Sequence, residues 1–351
     1  MANITHRKII TQDDVARRAG VTRSIVSYVI NDGPRNVASE TRERVLAAIQ
    51  ELGYRPNKHA QILSSADDNA AGNYIGIILS NNTMFKRPYY GSILASIHEH
   101  AHEVGWHVRF IRVYDDFCDP ALFDELIHPN EIRGVVLIGP DRDPLTSTDT
   151  LLISKIVERV ERVVCVEWEW PGVPSVQFDR QNAAFQATSH LLECGRTQIA
   201  YIGPPDKRVA GYQQALWEKG IAPEGGYIYF ESDAESAHSS CMRLIQSGLP
   251  VDAICAGTDE VGIGILNCLY QYKLNVPNDI AVASIDNLDI SAFTIPPLTT
   301  VDVPKHEIGR HAFDILVSDQ VWKASAAFSV TLPTQLIVRE TSVSRVNQPI
   351  G

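Results

Sequence analysis

From Tyr74 onward the chain alternates short runs of apolar, often β-branched residues with longer stretches of helical pattern, and few folds accept that alternation. The runs are Tyr74-Ile75-Gly76-Ile77-Ile78-Leu79, Val108-Arg109-Phe110-Ile111, Gly134-Val135-Val136-Leu137-Ile138 and Val163-Val164-Cys165-Val166. A second series follows at Ser175-Val176-Gln177-Phe178, Ile199-Ala200-Tyr201-Ile202, Ala253-Ile254-Cys255-Ala256 and Ile280-Ala281-Val282-Ala283-Ser284-Ile285. Runs without a polar face belong to strands covered on both sides, so the pattern predicts parallel sheets flanked by helices. Two series in succession predict two similar α/β lobes. Ligands of open sheets bind beyond the carboxyl ends of the strands, so two facing lobes form a cleft. The segments around 298–303 and 335–338 are expected to supply further crossings between lobes.

The front of the chain follows a different grammar. Thr11-Gln12-Asp13-Asp14-Val15-Ala16-Arg17-Arg18-Ala19-Gly20-Val21-Thr22 reads as a capping Thr, a short apolar helix, a Gly for a sharp turn and a second capping Thr, the order of a helix-turn-helix. Over residues 23–31, at about 100° per residue, Ile25, Val26, Val29 and Ile30 share an arc of roughly 140°. Arg23, Ser24, Ser27, Tyr28 and Asn31 occupy the other side. One apolar face and one hydrogen-bonding face suit a recognition helix, because base edges in the major groove offer donors, acceptors and methyls; an ordinary amphipathic surface helix shows the same pattern. Ser39 is expected to cap a third helix whose Val45, Ala48, Ile49 and Leu52 cover the first two, with Gly53 ending it.

Asp14-Val15-Ala16, Ala19-Gly20-Val21-Thr22, Val26-Ser27, Val29-Ile30-Asn31, Thr41-Arg42 and Gly53-Tyr54-Arg55-Pro56-Asn57 together resemble the amino-terminal signature of the lactose repressor (LacI) family. The resemblance implies a helix-turn-helix domain at 1–56, a hinge helix and linker at 57–72, and an effector domain at 73–345 of the periplasmic-binding-protein type. Its amino-terminal lobe would comprise about 73–178 and 303–330, its carboxy-terminal lobe about 179–302 and 331–345. It further implies a cytoplasmic transcriptional regulator, a homodimer on double-stranded operator DNA. Thr11, Thr22, Arg23, Ser24, Ser27, Tyr28 and Asn31 are the expected DNA contacts of the helical domain. Asn57, Ala60 and Leu63 are those of a hinge too short to be a stable helix alone, with Leu63 wedged into the minor groove. Tyr28 departs from the family's usual Arg, which predicts an operator altered at the base this residue faces.

Composition is compatible with this division. The 351 residues suffice for about two to three domains. Residues 1–63 carry ten Lys or Arg against six Asp or Glu, a balance of +4, whereas the remainder stands at −15. Only the front piece is suited to phosphates. No run reaches the roughly 18 apolar residues of a membrane span, and no signal peptide precedes the first helix. The six cysteines, without a C-x-x-C pair, read as reduced core residues.

Ligand contacts are expected on the loops after strands. Ser80 directly follows the first strand. Arg208-Val209-Ala210-Gly211-Tyr212 matches the family's Arg-x-x-Gly-aromatic helix start, where the Arg binds effector, and Asp286 matches the Asp that grips effector hydroxyls. In Thr258-Asp259 the resemblance makes Thr258 the contact and Asp259 the helix cap, although Thr258 is shorter than the Asn of several relatives. Asp179 reads as an N-cap. Glu167 follows the fourth strand beside Trp168 and Trp170, and Tyr89 and Tyr90 stand where relatives carry an aromatic residue. Carboxylates, an Arg and flat aromatic faces suit a polyhydroxylated ring and favour a sugar, related polyol or nucleoside over an apolar ligand, with Arg208 keeping a sugar phosphate open.

His98-Glu99-His100-Ala101-His102 satisfies the zinc-protease pattern H-E-x-x-H. On that helix Tyr90, Ile93, Leu94, Ile97, Ala101 and Val104 form the expected buried stripe, with His98 and His102 just outside it, and no metal or other cofactor is expected. No serine elbow, P-loop or dinucleotide fingerprint is present. A ligand-controlled regulator, not an enzyme, is the leading expectation; a solute-binding protein or a cleft enzyme without DNA function is the alternative. The chain lacks leucine heptads after Arg339-Glu340-Thr341, which predicts a dimer rather than a tetramer.

Overall fold

A computed structural model of the chain describes residues 11–31, 37–52, 54, 72–139, 145–222, 227–323 and 327–343. It divides into two compact units, Met1–Ala70 and Ala71–Gly351.

The first unit holds three helices, α1 (Gln12–Ala19), α2 (Arg23–Asn31) and α3 (Ser39–Leu52). Thr11 and Asp14 form a capping box at the start of α1, and Gly20 ends it at φ 66°, a left-handed conformation that glycine adopts without a Cβ clash. The carbonyl of Thr22 accepts the first bonds of α2. Val15, Ala16, Ala19, Val26, Val29, Val45, Ala48 and Tyr54 make the core, with Ile25, Ile30, Ile49 and Leu52 packed against it. The cap of α3 differs from expectation: the Ala38 carbonyl accepts from the amides of Thr41 and Arg42, so Ser39 is the first helical residue. Gly53, the hinge residues Asn57, Ala60 and Leu63, and the linker up to residue 71 lie outside the described residues.

The second unit contains two six-stranded sheets. The first has the order β11-β5-β4-β3-β1-β2, with β1 (Tyr74–Leu79), β2 (His107–Val113), β3 (Gly134–Ile138), β4 (Arg162–Val166), β5 (Ser175–Phe178) and β11 (Ser329–Leu332). The second has the order β12-β10-β9-β8-β6-β7, with β6 (Ile199–Gly203), β7 (Ile228–Phe230), β8 (Ala253–Ala256), β9 (Ala281–Asp286), β10 (Thr299–Asp302) and β12 (Gln335–Ile337). Only the β10–β12 pair is antiparallel among the described strands. β5 opens the second run of strands in the sequence but belongs to the first sheet.

The chain passes between lobes three times: from β5 into the Arg180–Glu193 helix, from β10 into the Lys305–Val317 helix packed on the first lobe, and from β11 to β12. β11 runs to Leu332, past the expected boundary at 330. One apolar cluster continues from Ile77 and Ile138 of the first lobe to Ile199, Tyr212 and Ile285 of the second. Gly211 shows how closely the helices meet. A Cβ there would lie 1.9 Å from the Gln181 carbonyl oxygen, so only glycine lets the Lys207–Glu218 helix press against the Arg180–Glu193 helix.

On the Pro88–Glu103 helix Ile93, Ile97 and Ala101 are buried and Tyr90 and Leu94 half-buried, but Val104 is exposed. That residue is the C-cap, where the helical period no longer governs which way a side chain points. No helix among the described residues is long and apolar enough to cross a membrane.

Candidate functional site

In the first unit α2 presents two distinct faces. Val26 and Val29 are buried, Thr22, Arg23 and Ser24 are exposed, and Ser27 and Tyr28 are half-buried. The side chain of Asn31 is outside the described set. Arg23 stays close to α1 through Gln12, at 3.4 Å, and Asp13, at 3.9 Å, both near the protein surface. Exposed pairs of this kind are weak and rearrange at little cost, leaving the guanidinium available to a phosphate or base edge. Thr11 is exposed, its hydroxyl engaged with Asp14 in the cap.

In the second unit charged side chains from both lobes converge at the carboxyl ends of β4, β5, β6 and β9. Glu167, just after β4, is buried at φ 70°, and its Oε2 pairs with Arg180, the first residue of the helix after β5. Arg180 also approaches Asp206 at 3.6 Å. Asp206 caps the Lys207–Glu218 helix by accepting from the Arg208 amide at 3.0 Å, and accepts from the Arg208 guanidinium at 2.8 Å. The chain Glu167–Arg180–Asp206–Arg208 thus runs from the first lobe into the second. Both guanidiniums lie against the Phe178 ring, at 5.1 Å and 5.7 Å from its centroid.

Burial raises the Glu167 carboxyl above its ordinary range, opposed by Arg180, Arg208 and the nearby Tyr89 hydroxyl. Burial works against the Arg208 charge, but Asp206, with Tyr201, Asp286 and Tyr89, more than restores it and raises its pKa. Asp286, at the end of β9 with φ 123°, is pushed up to about 8 by burial and then by Asp259, against the pull of Arg208, Lys305 and Arg87. Tyr89 is buried, edge-on to Tyr90 at 5.2 Å, and raised by burial and by the charges of Glu167 and Asp286. Tyr89 Oη, Glu167 Oε1 and Arg208 Nε are buried and make no well-formed hydrogen bond within the protein. Buried polar atoms are almost always paired, so these three are exceptions gathered near the junction of the lobes.

The structure brings Tyr89, Glu167, Arg208 and Asp286 into one electrostatic neighbourhood. Ser80, half-buried after β1, donates its amide to Met84 Sδ at 3.2 Å. The helix cap falls on Thr258 rather than on Asp259. Thr258 caps the Asp259–Gln271 helix by accepting from Val261, whereas Asp259 is fully buried and accepts from Ser284, Thr300, Leu288 and Ser291. The helix therefore starts one residue earlier than expected, and Asp259 turns inward. Asp179 is the N-cap of the next helix, as its spacing implied.

Trp168 and Trp170 meet edge-on, Trp168 donates to the Leu137 carbonyl, and both pack against the cluster that contains Phe110, Val135 and Val163. His98 and His102 are exposed, and among the described residues no group of three or more His, Cys, Asp or Glu is arranged to hold a metal ion.

Sequence reasoning missed Arg180, Asp206 and Phe178. It also missed Arg87, which reaches from the first lobe to Glu260 at 3.1 Å and to the Ser232 carbonyl in the second.

A family model described as bacterial regulatory proteins, lacI family, matches residues 11–57, and a periplasmic binding protein-like domain matches residues 188–342. The ribose operon repressor of Escherichia coli (strain K12) is 30% identical over 324 residues, spanning 88% of this chain and 92% of that protein. The chain belongs to the LacI family. Among solved structures, the lac repressor dimer bound to operator and the anti-inducer ONPF matches with a TM-score of 0.75 and 26% identity, over 96% of this chain and 100% of that one. The complex of the transcriptional regulator CelR with cellobiose matches with a TM-score of 0.68 and 26% identity, over 95% and 99%. As a LacI-family member the chain is a DNA-binding transcriptional regulator under ligand control.

Proposed function

We propose that this regulator is a cytoplasmic repressor that binds operator DNA as a homodimer through α2 and the 57–63 hinge. A sugar or related polyol at the junction of Tyr89, Glu167, Arg208 and Asp286 sets its operator affinity. The reading rests on one observation above all: three buried polar atoms from the two lobes, Tyr89 Oη, Glu167 Oε1 and Arg208 Nε, make no well-formed hydrogen bond within the protein although Tyr89 faces Glu167. A polyhydroxylated ring carries hydroxyls that both donate and accept, at the density such a set requires. The proposal takes a dimer because one helix reads only a few base pairs and two half-sites are needed for useful affinity.

The proposed mechanism is a population shift. A ligand that binds one arrangement of the lobes more tightly than another favours that arrangement, and the dimer presents its paired α2 helices and hinges to DNA accordingly. The test is fluorescence anisotropy of a duplex from the chain's own promoter region, titrated with protein and then with a panel of monosaccharides and disaccharides. Binding that falls steeply with salt and changes with one sugar is expected. No DNA binding at low salt would overturn the regulatory reading. DNA binding unaffected by any polyol would overturn the ligand assignment.

A further inference from the structure

A helix amino terminus beside two arginines is the ordinary recipe for a phosphate site, since free amides and the helix dipole favour an anion there. At the start of the Lys207–Glu218 helix that place is taken by a resident carboxylate. Asp206 accepts from the Arg208 amide and guanidinium at 3.0 Å and 2.8 Å and lies 3.6 Å from Arg180, whose other partner is Glu167. The two remaining cations that act on Asp286 are also engaged: Lys305 with the carbonyls of Asp286, Asn287 and Val303, and Arg87 with Glu260 and the Ser232 carbonyl. A guest therefore meets Glu167, Asp206 and Asp286, while Arg87, Arg180, Arg208 and Lys305 each already hold a carboxylate or carbonyl oxygen.

We propose that Asp206 is a specificity residue: by occupying the anion position and neutralising Arg208 and Arg180, it confines the junction to uncharged hydroxylated ligands and rejects their phosphate esters. This rests on the reading of the junction as a polyol site and narrows it. The three unpaired atoms agree with it. Tyr89 Oη and Arg208 Nε are donors suited to ligand oxygens, whereas Glu167 Oε1 requires a ligand hydroxyl that donates. A phosphate oxygen carries no such proton at neutral pH and meets the like charge of Asp206 instead. Arg208 considered alone left sugar phosphates open, because its partner two residues earlier was not visible as a partner.

The test uses the intact protein and Asp206→Asn, whose amide oxygen still caps the helix. Calorimetry is run with inorganic phosphate, and with D-ribose and D-glucose each beside its terminal monophosphate. Wild type should bind any sugar phosphate at least about tenfold more weakly than the parent sugar, the scale of one added like charge in a partly buried site. Asp206→Asn should gain at least about tenfold in affinity for inorganic phosphate, and adding Arg208→Met should abolish the gain. A sugar phosphate that binds wild type as tightly as its parent sugar, or an Asp206→Asn protein with no gain in phosphate affinity, overturns the proposal. If no sugar of either kind binds while the variant still gains phosphate, the charge assignment is supported and the polyol reading falls alone.

Discussion

Removing the Asp259 carboxylate should unfold the second lobe at a measurably lower temperature. Its two oxygens each serve two donors: Oδ1 accepts from Ser284 Oγ at 2.5 Å and Thr300 Oγ1 at 2.6 Å, and Oδ2 accepts from the Leu288 amide at 2.7 Å and from Ser291 Oγ. Ser284 has a second acceptor in the Thr299 carbonyl at 3.2 Å, so three donors lose their partner in Asp259→Ala. An orphaned buried donor costs about 1–3 kcal/mol, and relief of the buried charge offsets part of the sum. A net loss of about 3 kcal/mol follows, or roughly 6–12 °C for a unit of this size. Asp259→Asn keeps one accepting oxygen and presents an amide to the other pair of donors, so its loss should fall between wild type and Asp259→Ala. Thermal melting followed by circular dichroism at pH 7 measures both variants. An Asp259→Asn protein that melts with wild type would refute the reasoning, because it would mean the site does not need two accepting oxygens.

Asp286 fixes a pH dependence. Its folded pKa of about 8 stands above the ordinary carboxylate value. The stability it contributes is therefore full at low pH and is lost as pH rises from about 4 through about 8; melting temperature against pH should show this slope, and Asp286→Asn should flatten it. Gly211→Ala should cost several kcal/mol or prevent folding, since its Cβ would meet the Gln181 carbonyl at 1.9 Å; expression and melting check it. A double-mutant cycle of Arg87→Met and Glu260→Gln should give a coupling of about 1 kcal/mol in thermal unfolding, as suits a partly buried pair, and additive losses would discount the bridge. Leu63→Ala should weaken operator binding by at least about tenfold and leave sugar affinity unchanged, while equal losses in anisotropy and calorimetry would count against a separate role for the hinge.

The helical unit was legible because its signals are local. A capping Thr, an acidic residue three positions later and a Gly at the turn are fixed by the first helix alone, and the core of α2 follows from its period. The central strands were legible for the same reason, as each is buried on both faces. β7 and β11 were not. Both are short edge strands, three and four residues long, with half-covered or exposed side chains; β11 alternates polar and apolar residues, and the brief 227–230 run around β7 carries no period. The convergence of Glu167, Arg208 and Asp286 was legible because each residue type coincides with a strand end or the helix start after one. The site was illegible where partnership spans the chain. Asp259 binds residues 25 to 41 positions away, and Arg180 meets Glu167 only because β5 crosses into the second lobe beside β4.

The position of Gly211 connects these partnerships to control. Close contact between the Arg180–Glu193 and Lys207–Glu218 helices places the first residues of both at one spot, which is how Arg180 comes to share Asp206 with Arg208. Arg180 is also the first helical residue after a crossing and holds Glu167 of the other lobe, so the charge chain lies on a path about which the lobes can move. A guest that hydrogen-bonds Glu167 Oε1 and Arg208 Nε together adds a contact to each end of that chain. It stabilises only arrangements in which the two ends are near one another. That difference, rather than tightness of binding to either lobe, is the quantity a ligand must supply to change how the regulator meets DNA.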